Sequence, residues 1–546
     1  MALAARRVRL LFVFFAGLLM VAALRAADLG TLQASRLSAV AASHQVISAT
    51  VTPLRGAILD RNGDALALTE PGDDISAYEV SDPNGAAAKL APLLGMSAAT
   101  LAQKLATHRA FQYLARQIPA ARAKRIADLG FPGIRLTTDN YRYYPFGSLA
   151  GQVLGGVHLS GVGAGGIEEQ LNAQLAGQDG ATSTVYAANG TPISVDVARQ
   201  AVAGQDVRLT IDAALQQEAE SVLADVAHTS APVGATAIAL DPRTGAVLAL
   251  ANWPSANPNT PGAGANWEDS AIQLNYEPGS TFKIVAVGGA LSDGLVNPNT
   301  PFNIPTQLHF DGRTINDDTP HPDETLTTTG IIAQSSNIGA VEIGQLLGAP
   351  RFAYWVRRFG FGQTTGIDLP GEEQGIVPPL ADYNNFSMGN LPFGQGESVT
   401  PIQIADAYAA IADGGVLHTP YVVQSVGGVR QRARGRRILS PAVAAEMRTI
   451  LESVLQPGGT AAEISIPGYT LAGKTGTANV AVNGTYSTSK FVASFVGFAP
   501  AQNPRIEIEI VVDQPQEGPI YGTDAPAHAW KQIMEWALRY LKIRPG

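Results

Sequence analysis

The sequence predicts an α/β protein of the α+β kind: an antiparallel sheet covered by helices, preceded by an elongated mixed α+β segment and a single transmembrane helix. Three observations carry this reading. Residues 235–240 and 246–251 are short apolar runs joined by Asp241-Pro-Arg-Thr-Gly245, the pattern of a hairpin. Residues 491–498 and 506–512 read as two further strands, the second alternating Ile506, Ile508 and Ile510 with Glu507 and Glu509 as a half-buried strand does. Residues 527–541 form a closing amphipathic helix with Trp530, Ile533, Met534, Ala537, Leu538 and Leu541 on its apolar side.

In chain order, the first element is an uncharged run, residues 10–24, with Arg6, Arg7 and Arg9 before it and Arg25 after it. As a helix this run spans roughly 22 Å against a ~30 Å hydrocarbon core. Ala26 and Ala27 extend it and the flanking arginines can snorkel, so residues 10–27 are read as an uncleaved signal-anchor. The alternative is a cleaved signal peptide with Val21-Ala22-Ala23 as its site, but Arg25 stands where small residues would follow. The arginine excess puts residues 1–9 in the cytoplasm and the remainder outside. Residues 28 to about 200 read as loops, short helices and strands, with a turn at Asn62-Gly63. Thr400-Pro401 opens a helix that runs to Gly414-Gly415, and Ser440-Pro441 opens another that Pro457-Gly458 stops. Arg430, Arg432, Arg434, Arg436 and Arg437, just before that helix, read as a solvated loop.

The chain of 546 residues is 46% hydrophobic and 15% charged, which excludes a disordered chain and suffices for more than one packed domain. A formal charge of −9 argues against nucleic acid as a partner. The absence of cysteine excludes disulfides, thiolate metal sites and cysteine nucleophiles. Of the 37 basic residues 29 are arginine, and between Arg125 and Gly473 the only lysine is Lys283. An ammonium can give up its proton in a protein; a guanidinium cannot.

Lys283 stands in Glu277-Pro-Gly-Ser280-Thr-Phe-Lys283, ahead of an apolar run, residues 282–291, that reads as a buried helix ending at Gly294. Ser280 is then at the helix N-terminus, where developing negative charge is favoured, and Lys283 lies one turn away on the same face. A buried lysine can lose its proton and serve as base to the serine. Alone, Ser-x-x-Lys reads equally well as an N-cap serine with a snorkelling lysine. Ser335-Ser336-Asn337, bracketed by apolar residues, is alone a helix cap. Lys474-Thr475-Gly476-Thr477 has strand character, with a glycine that lets another chain approach closely. The order Ser-x-x-Lys, Ser-x-Asn, Lys-Thr-Gly is the composite set of penicillin-binding proteins and serine β-lactamases.

Residues 468–475 also satisfy the P-loop pattern letter for letter, but Pro467 precedes them and Gly476-Thr-Ala-Asn-Val follows, which is not a helix. Nucleotide binding is therefore rejected. The eight histidines are scattered, and none accompanies a Gly-x-Ser-x-Gly elbow.

Over nearly its whole length the sequence resembles the class B penicillin-binding proteins, the monofunctional peptidoglycan D,D-transpeptidases. The resemblance rests on the anchor, the segment Arg55-Gly-Ala-Ile-Leu-Asp-Arg-Asn-Gly63, Arg142-Tyr-Tyr-Pro145 and Gly165-Gly-Ile-Glu168. It continues in Tyr276-Glu-Pro-Gly-Ser-Thr-Phe-Lys283, Thr365-Gly-Ile-Asp-Leu-Pro-Gly371 and Phe393-Gly-Gln-Gly396 leading to Val399-Thr-Pro401. Phe359-Gly-Phe-Gly362 resembles the division-specific branch, which implies septal cell-wall synthesis. The resemblance implies a serine β-lactamase/transpeptidase-like fold over residues 204–546 and a pedestal of the dimerisation type over residues 28–203. It implies that Ser280 attacks the penultimate D-Ala of a stem peptide with Lys283 as base, and that Ser335 passes a proton to the leaving D-Ala. Asn337 would hold the peptide amide and orient Lys283. Backbone N–H groups of Ser280 and Thr477 would form the oxyanion hole. Thr475 and Thr477 would bind the terminal carboxylate beside Gly476, and Lys474 would add positive potential that lowers the basicity of Lys283. It implies no metal or cofactor, β-lactams as inhibitors, and a bacterial cytoplasmic membrane as location. No glycosyltransferase domain fits between the anchor and Gly204, so the expected partners include a polytopic membrane glycosyltransferase and other division proteins. No binding repeats are expected after the closing helix. Two other readings use the same motifs: a serine β-lactamase, which would turn over its acyl-enzyme, and a β-lactam sensor or non-catalytic division scaffold.

Overall fold

The structure, a computed structural model, describes residues 2–36, 46–107, 111–186, 192–260, 266–482, 484–518 and 521–545. The chain forms two compact units, Met1–Leu54 with Gly177–Gly204, and Arg55–Ala176 with Gln205–Gly546. In the first, Ala2–Gly30 is one helix, and an 18-residue stretch within Arg6–Gly30 has a mean hydropathy of 2.3. Among the described residues it is the one helix long and apolar enough to cross a membrane. The same unit holds an antiparallel sheet in which Gly180–Tyr186 lies between Val46–Val51 and Pro192–Arg199.

In the second unit, residues 55–176 contribute a sheet that runs on into the later part of the chain. Ala65–Ala77 pairs with Ile58–Leu59, Gln112–Pro119 and Ile134–Tyr143, while Ile58–Leu59 lies parallel to Val207–Leu209. The Asn62-Gly63 turn closes on Asp60, whose Oδ1 accepts N–H bonds from Asn62, Gly63 and Asp64 at 2.7, 2.8 and 2.9 Å.

The expected antiparallel sheet has five strands in the order Ala246–Trp253, Gly234–Asp241, Ile506–Asp513, Thr485–Ala499, Ala472–Val482. Helices Ala213–Ser230 and Ala525–Tyr540 pack on each other and on the sheet. The Trp530 indole donates to the Ile508 carbonyl at 3.0 Å, fixing the closing helix to the sheet centre. Helices Pro401–Ala412 and Pro441–Glu452 begin at the expected caps; Gln403 Oε1 accepts the Thr400 N–H at 3.0 Å, and Ser440 Oγ that of Val443 at 3.2 Å.

One expectation is corrected. The Ile/Glu alternation of residues 506–510 predicts a strand with one polar, half-exposed face, yet Glu507 and Glu509 are both fully buried. Their face lies under helix Pro401–Ala412, where Asp406 is buried as well. Burial pushes all three carboxyls well above the usual carboxylate range, with mutual repulsion adding at Glu507. The Tyr276 hydroxyl donates to Glu509 Oε1 at 3.0 Å. Of the five arginines, Arg432 and Arg434 lie in a loop and the other three in two ribbons: Val429–Arg430 pairs with Val423–Val426, and Gly435–Arg437 with Val416–His418.

Candidate active site

Ser280 lies in a short 3-10 turn, Gly279–Phe282, that leads directly into helix Lys283–Ser292. The turn is fixed by its neighbours. Gly279 has φ +55, and a Cβ there would lie 2.9 Å from the Thr477 carbonyl oxygen. Gly394, at φ +82, rests against the Gly279 carbonyl, and its own carbonyl accepts the Gly279 N–H at 3.0 Å. The Tyr408 hydroxyl donates to the Thr281 carbonyl at 2.9 Å from helix Pro401–Ala412. The helix itself is apolar all round and buried, as its sequence requires.

Lys283 is fully buried and Ser280 is 8% exposed. Lys283 Nζ lies 3.0 Å from Ser280 Oγ and donates to Asn337 Oδ1 at 2.8 Å and to the Ser335 carbonyl at 2.5 Å. Ser335 Oγ is 2.9 Å from Ser280 Oγ and 3.2 Å from Lys283 Nζ, and accepts from Lys474 Nζ at 2.9 Å. Ser335 has φ +63, a left-handed conformation that costs a residue with a side chain about 1–3 kcal/mol. That turn aims its hydroxyl between the two lysines. Ser336, next to it, caps helix Asn337–Leu347 by accepting the Gly339 N–H at 2.9 Å. Cap and site thus divide one tripeptide between them.

Lys474 and Thr475 sit on strand Ala472–Val482, which runs on where a P-loop would need a helix. Lys474 Nζ also donates to Thr475 Oγ1 at 3.2 Å. Thr477 Oγ1 accepts the Gly522 N–H at 3.0 Å, so its own hydrogen is left to donate. Gly476 is required by closeness: a Cβ there would meet Ser494 Oγ at 2.3 Å and the Pro278 carbonyl at 3.0 Å. All the residues expected from the three motifs therefore meet in one place. Ser280, Ser335, Thr475, Thr477, Asp318 and Tyr521 line a cleft of about 510 Å³.

Burial lowers Lys283 to about 8, against Asp318 and Asp317, which hold its proton. Lys474 is pushed well below the usual lysine range by burial and then by the Lys283 charge. Repulsion between the two ammonium groups is mutual, and Asp317 and Asp318 favour the proton on Lys283.

Sequence reasoning missed Asp317, Asp318, Thr460 and Gly522. Asp317 Oδ1 accepts the N–H groups of Asn337 at 2.5 Å and Ile338 at 2.9 Å, which anchors the Ser-x-Asn turn. Asp318 Oδ1 and the Asn316 carbonyl accept from Asn337 Nδ2 at 3.3 and 3.2 Å. Both ends of the Asn337 amide are thus bonded inside the protein, which serves the orientation of Lys283; holding a peptide amide would require Nδ2 to exchange partners. Among the described residues no group of three or more His, Asp or Glu side chains is arranged to hold a metal.

The chain is similar to proteins already known. A family model described as the penicillin binding protein transpeptidase domain matches residues 235–535. The chain belongs to the penicillin-binding protein transpeptidase family. A second model, the penicillin-binding protein dimerisation domain, matches residues 50–209. Penicillin-binding protein PbpB of Mycolicibacterium smegmatis is 33% identical over 95% of this chain and 88% of its own. Peptidoglycan D,D-transpeptidase FtsI of Escherichia coli is 32% identical over 91% of this chain and 85% of its own. The crystal structure of penicillin binding protein 3 from Mycobacterium tuberculosis, complexed with aztreonam, superposes with a TM-score of 0.73 at 30% identity, covering 91% of this chain and 98% of that one. The protein is accordingly a serine-type, penicillin-binding peptidoglycan D,D-transpeptidase that acts in cell-wall synthesis, and its N-terminal apolar helix is consistent with a single-pass anchor.

Proposed function

We propose that this transpeptidase cross-links stem peptides through an ester on Ser280. The observation that carries the reading is the unbroken hydrogen-bonded path Lys283–Ser280–Ser335–Lys474. Neutral Lys283 takes the Ser280 proton as Oγ bonds to the penultimate D-Ala carbonyl carbon. Backbone N–H groups of Ser280 and Thr477 hold the oxyanion, a contribution of about 2.7–4 kcal/mol per donor. The C–N bond then breaks, and Ser335, replenished from the lysines, passes a proton to the leaving D-Ala nitrogen. Thr475 and Thr477 hold the terminal carboxylate by donating their hydroxyl hydrogens, and Gly476 leaves space for the peptide backbone. An acceptor amine of a neighbouring strand reverses these steps, and Ser280 recovers its proton from Lys283.

The test is labelling of membranes with a fluorescent penicillin. Wild type forms a lasting adduct and Ser280→Ala forms none; labelling of the alanine variant would remove Ser280 from this role, and release of hydrolysed penicillin within seconds would make the protein a β-lactamase. A pH profile tests the base. Acylation rises as pH passes upward through about 8, where Lys283 loses its proton. In Asp318→Asn a charge that raises Lys283 is gone, so the midpoint moves to lower pH; rates of penicillin acylation between pH 5 and 10 read it, and an upward move would contradict the assignment.

The arginines before the apolar run support a cytoplasmic N-terminus with the transpeptidase outside. Residues 28–203 are our candidate docking region for a polytopic glycosyltransferase and for other division proteins. The septal role is supported by Phe359-Gly-Phe-Gly362 and by similarity to FtsI.

A further inference from the structure

Arg430, Arg432, Arg434, Arg436 and Arg437 crowd five positive charges into eight positions of a chain whose net charge is −9. Among the described residues none of the five forms an ion pair, whereas Arg55, Arg116, Arg142 and Arg243 each do. Backbone carbonyls hold two of them: Arg436 donates to Arg358 O at 2.8 Å, and Arg437 to Gly414 O at 2.6 Å. Arg430 and Arg436 lie in two separate ribbons, and residues 431–434 join them, so the arginines are brought together by the cavities that they line.

Two adjacent cavities border this file. One, of about 620 Å³, is lined by Arg430, Arg432 and Arg434 with Tyr421 and Gln431. The other, of about 340 Å³, is lined by Arg434 and Arg436 with Gln363, Thr364, Thr365 and Asp406. Arg434 and Thr419 belong to both. Each has the volume of a site that takes a small ligand or one unit of a longer one. Asp406 is 5% exposed and its Oδ1 has no partner. Burial pushes its carboxyl above the usual carboxylate range, against the nearby Arg436, which lessens its repulsion of an anion.

We propose that this arginine file is an exosite for the peptidoglycan strand, which it binds through the carboxylates of the stem peptides. The transpeptidase works on a polymer that carries carboxylates at every repeat, and a chain of net charge −9 otherwise repels such a polymer. The hydroxyl and amide groups around the arginines suit peptide and sugar. A membrane-docking surface would set apolar side chains among the basic ones. In residues 429–437 the one large apolar side chain exposed is Val429.

Binding to purified cell-wall sacculi tests this, with the full chain in detergent and Ser280 blocked by penicillin so that turnover plays no part. Sacculi are stripped of phosphate polymers with hydrofluoric acid. Wild type binds them, and binding weakens with salt. Arg430→Gln/Arg432→Gln/Arg434→Gln/Arg436→Gln raises the dissociation constant about tenfold or more. Amidating the sacculus carboxylates with carbodiimide and ammonia has the same effect on wild type. Arg434→Gln alone, at the residue common to both cavities, gives a smaller loss, and unfolding midpoints show that each variant is folded. Binding that survives either the substitutions or the amidation overturns the proposal. So does loss of binding on hydrofluoric acid treatment, which would assign the site to wall phosphates, or a defect confined to anionic phospholipid vesicles. A chain that penicillin fails to label would fail the transpeptidase reading, while its binding to sacculi would still be measured.

Discussion

Lys283→Arg keeps a cation at the centre of the site and slows acylation by a fluorescent penicillin by about 10²–10⁴-fold, the range expected when a general base is lost. The two side chains share charge and hydrogen-bond donors but not the ability to release a proton. Lys283 is fully buried and held at about 8, so at pH 7 about a tenth of the molecules carry the neutral amine that Ser280 needs. A guanidinium supplies none. Raising the pH separates base from charge: wild type gains rate up to about pH 9, whereas the arginine variant gains nothing. The unfolding midpoint of the variant shows that the fold has survived. A variant rate within tenfold of wild type would make Lys283 a structural cation that orients Asn337 and the Ser335 turn, and the proton would have to leave through Ser335 toward Lys474.

The core of this site was legible because its elements are local. Three residues are one helical turn, so Ser280 and Lys283 share a face in any helix that contains both. Lys474 through Thr477 needs only an extended strand. The arginine-rich composition singled out Lys283 before any motif was placed. What joins these pieces was not legible. Asp317 lies 20 residues before Asn337 in a stretch of turn residues with no periodicity, and nothing local says that its carboxylate will close the Ser-x-Asn turn. Gly522 meets Thr477 across 45 residues. Glu507 and Glu509 misled for another reason. Alternation reports which residues can face water, and a glutamic acid buried under a helix has the same letter as a solvated glutamate.

Arg55, Arg142 and Glu168 were visible only as parts of a family resemblance; the structure supplies their physics and the largest stability effect expected in the chain. Glu168 is fully buried. Its Oε2 accepts from Arg55 Nε at 2.6 Å, and its Oε1 from Arg142 Nε at 2.7 Å and the Tyr144 hydroxyl at 3.2 Å. Each arginine then reaches the backbone, Arg55 at Glu168 O (2.8 Å) and Arg142 at Gly56 O (2.8 Å). One carboxylate thus bonds two guanidiniums, leaving one positive charge in excess, and the three side chains join residues 55–56, 142–144 and 168. The glycine before Ile167 belongs to the same device: Gly166 has φ +50, and a Cβ there would lie 2.3 Å from the Val153 carbonyl oxygen. Glu168→Ala leaves two positive charges without a counter-charge and lowers stability by about 3–5 kcal/mol, where loss of an exposed ion pair would cost at most about 1 kcal/mol. Glu168→Gln, which keeps the shape and an acceptor but not the charge, falls between wild type and alanine. Denaturant unfolding of the three proteins followed by tryptophan fluorescence reads the order. If the alanine variant lost less than about 1 kcal/mol, water would have to reach both arginines, and the network would count as a surface salt bridge.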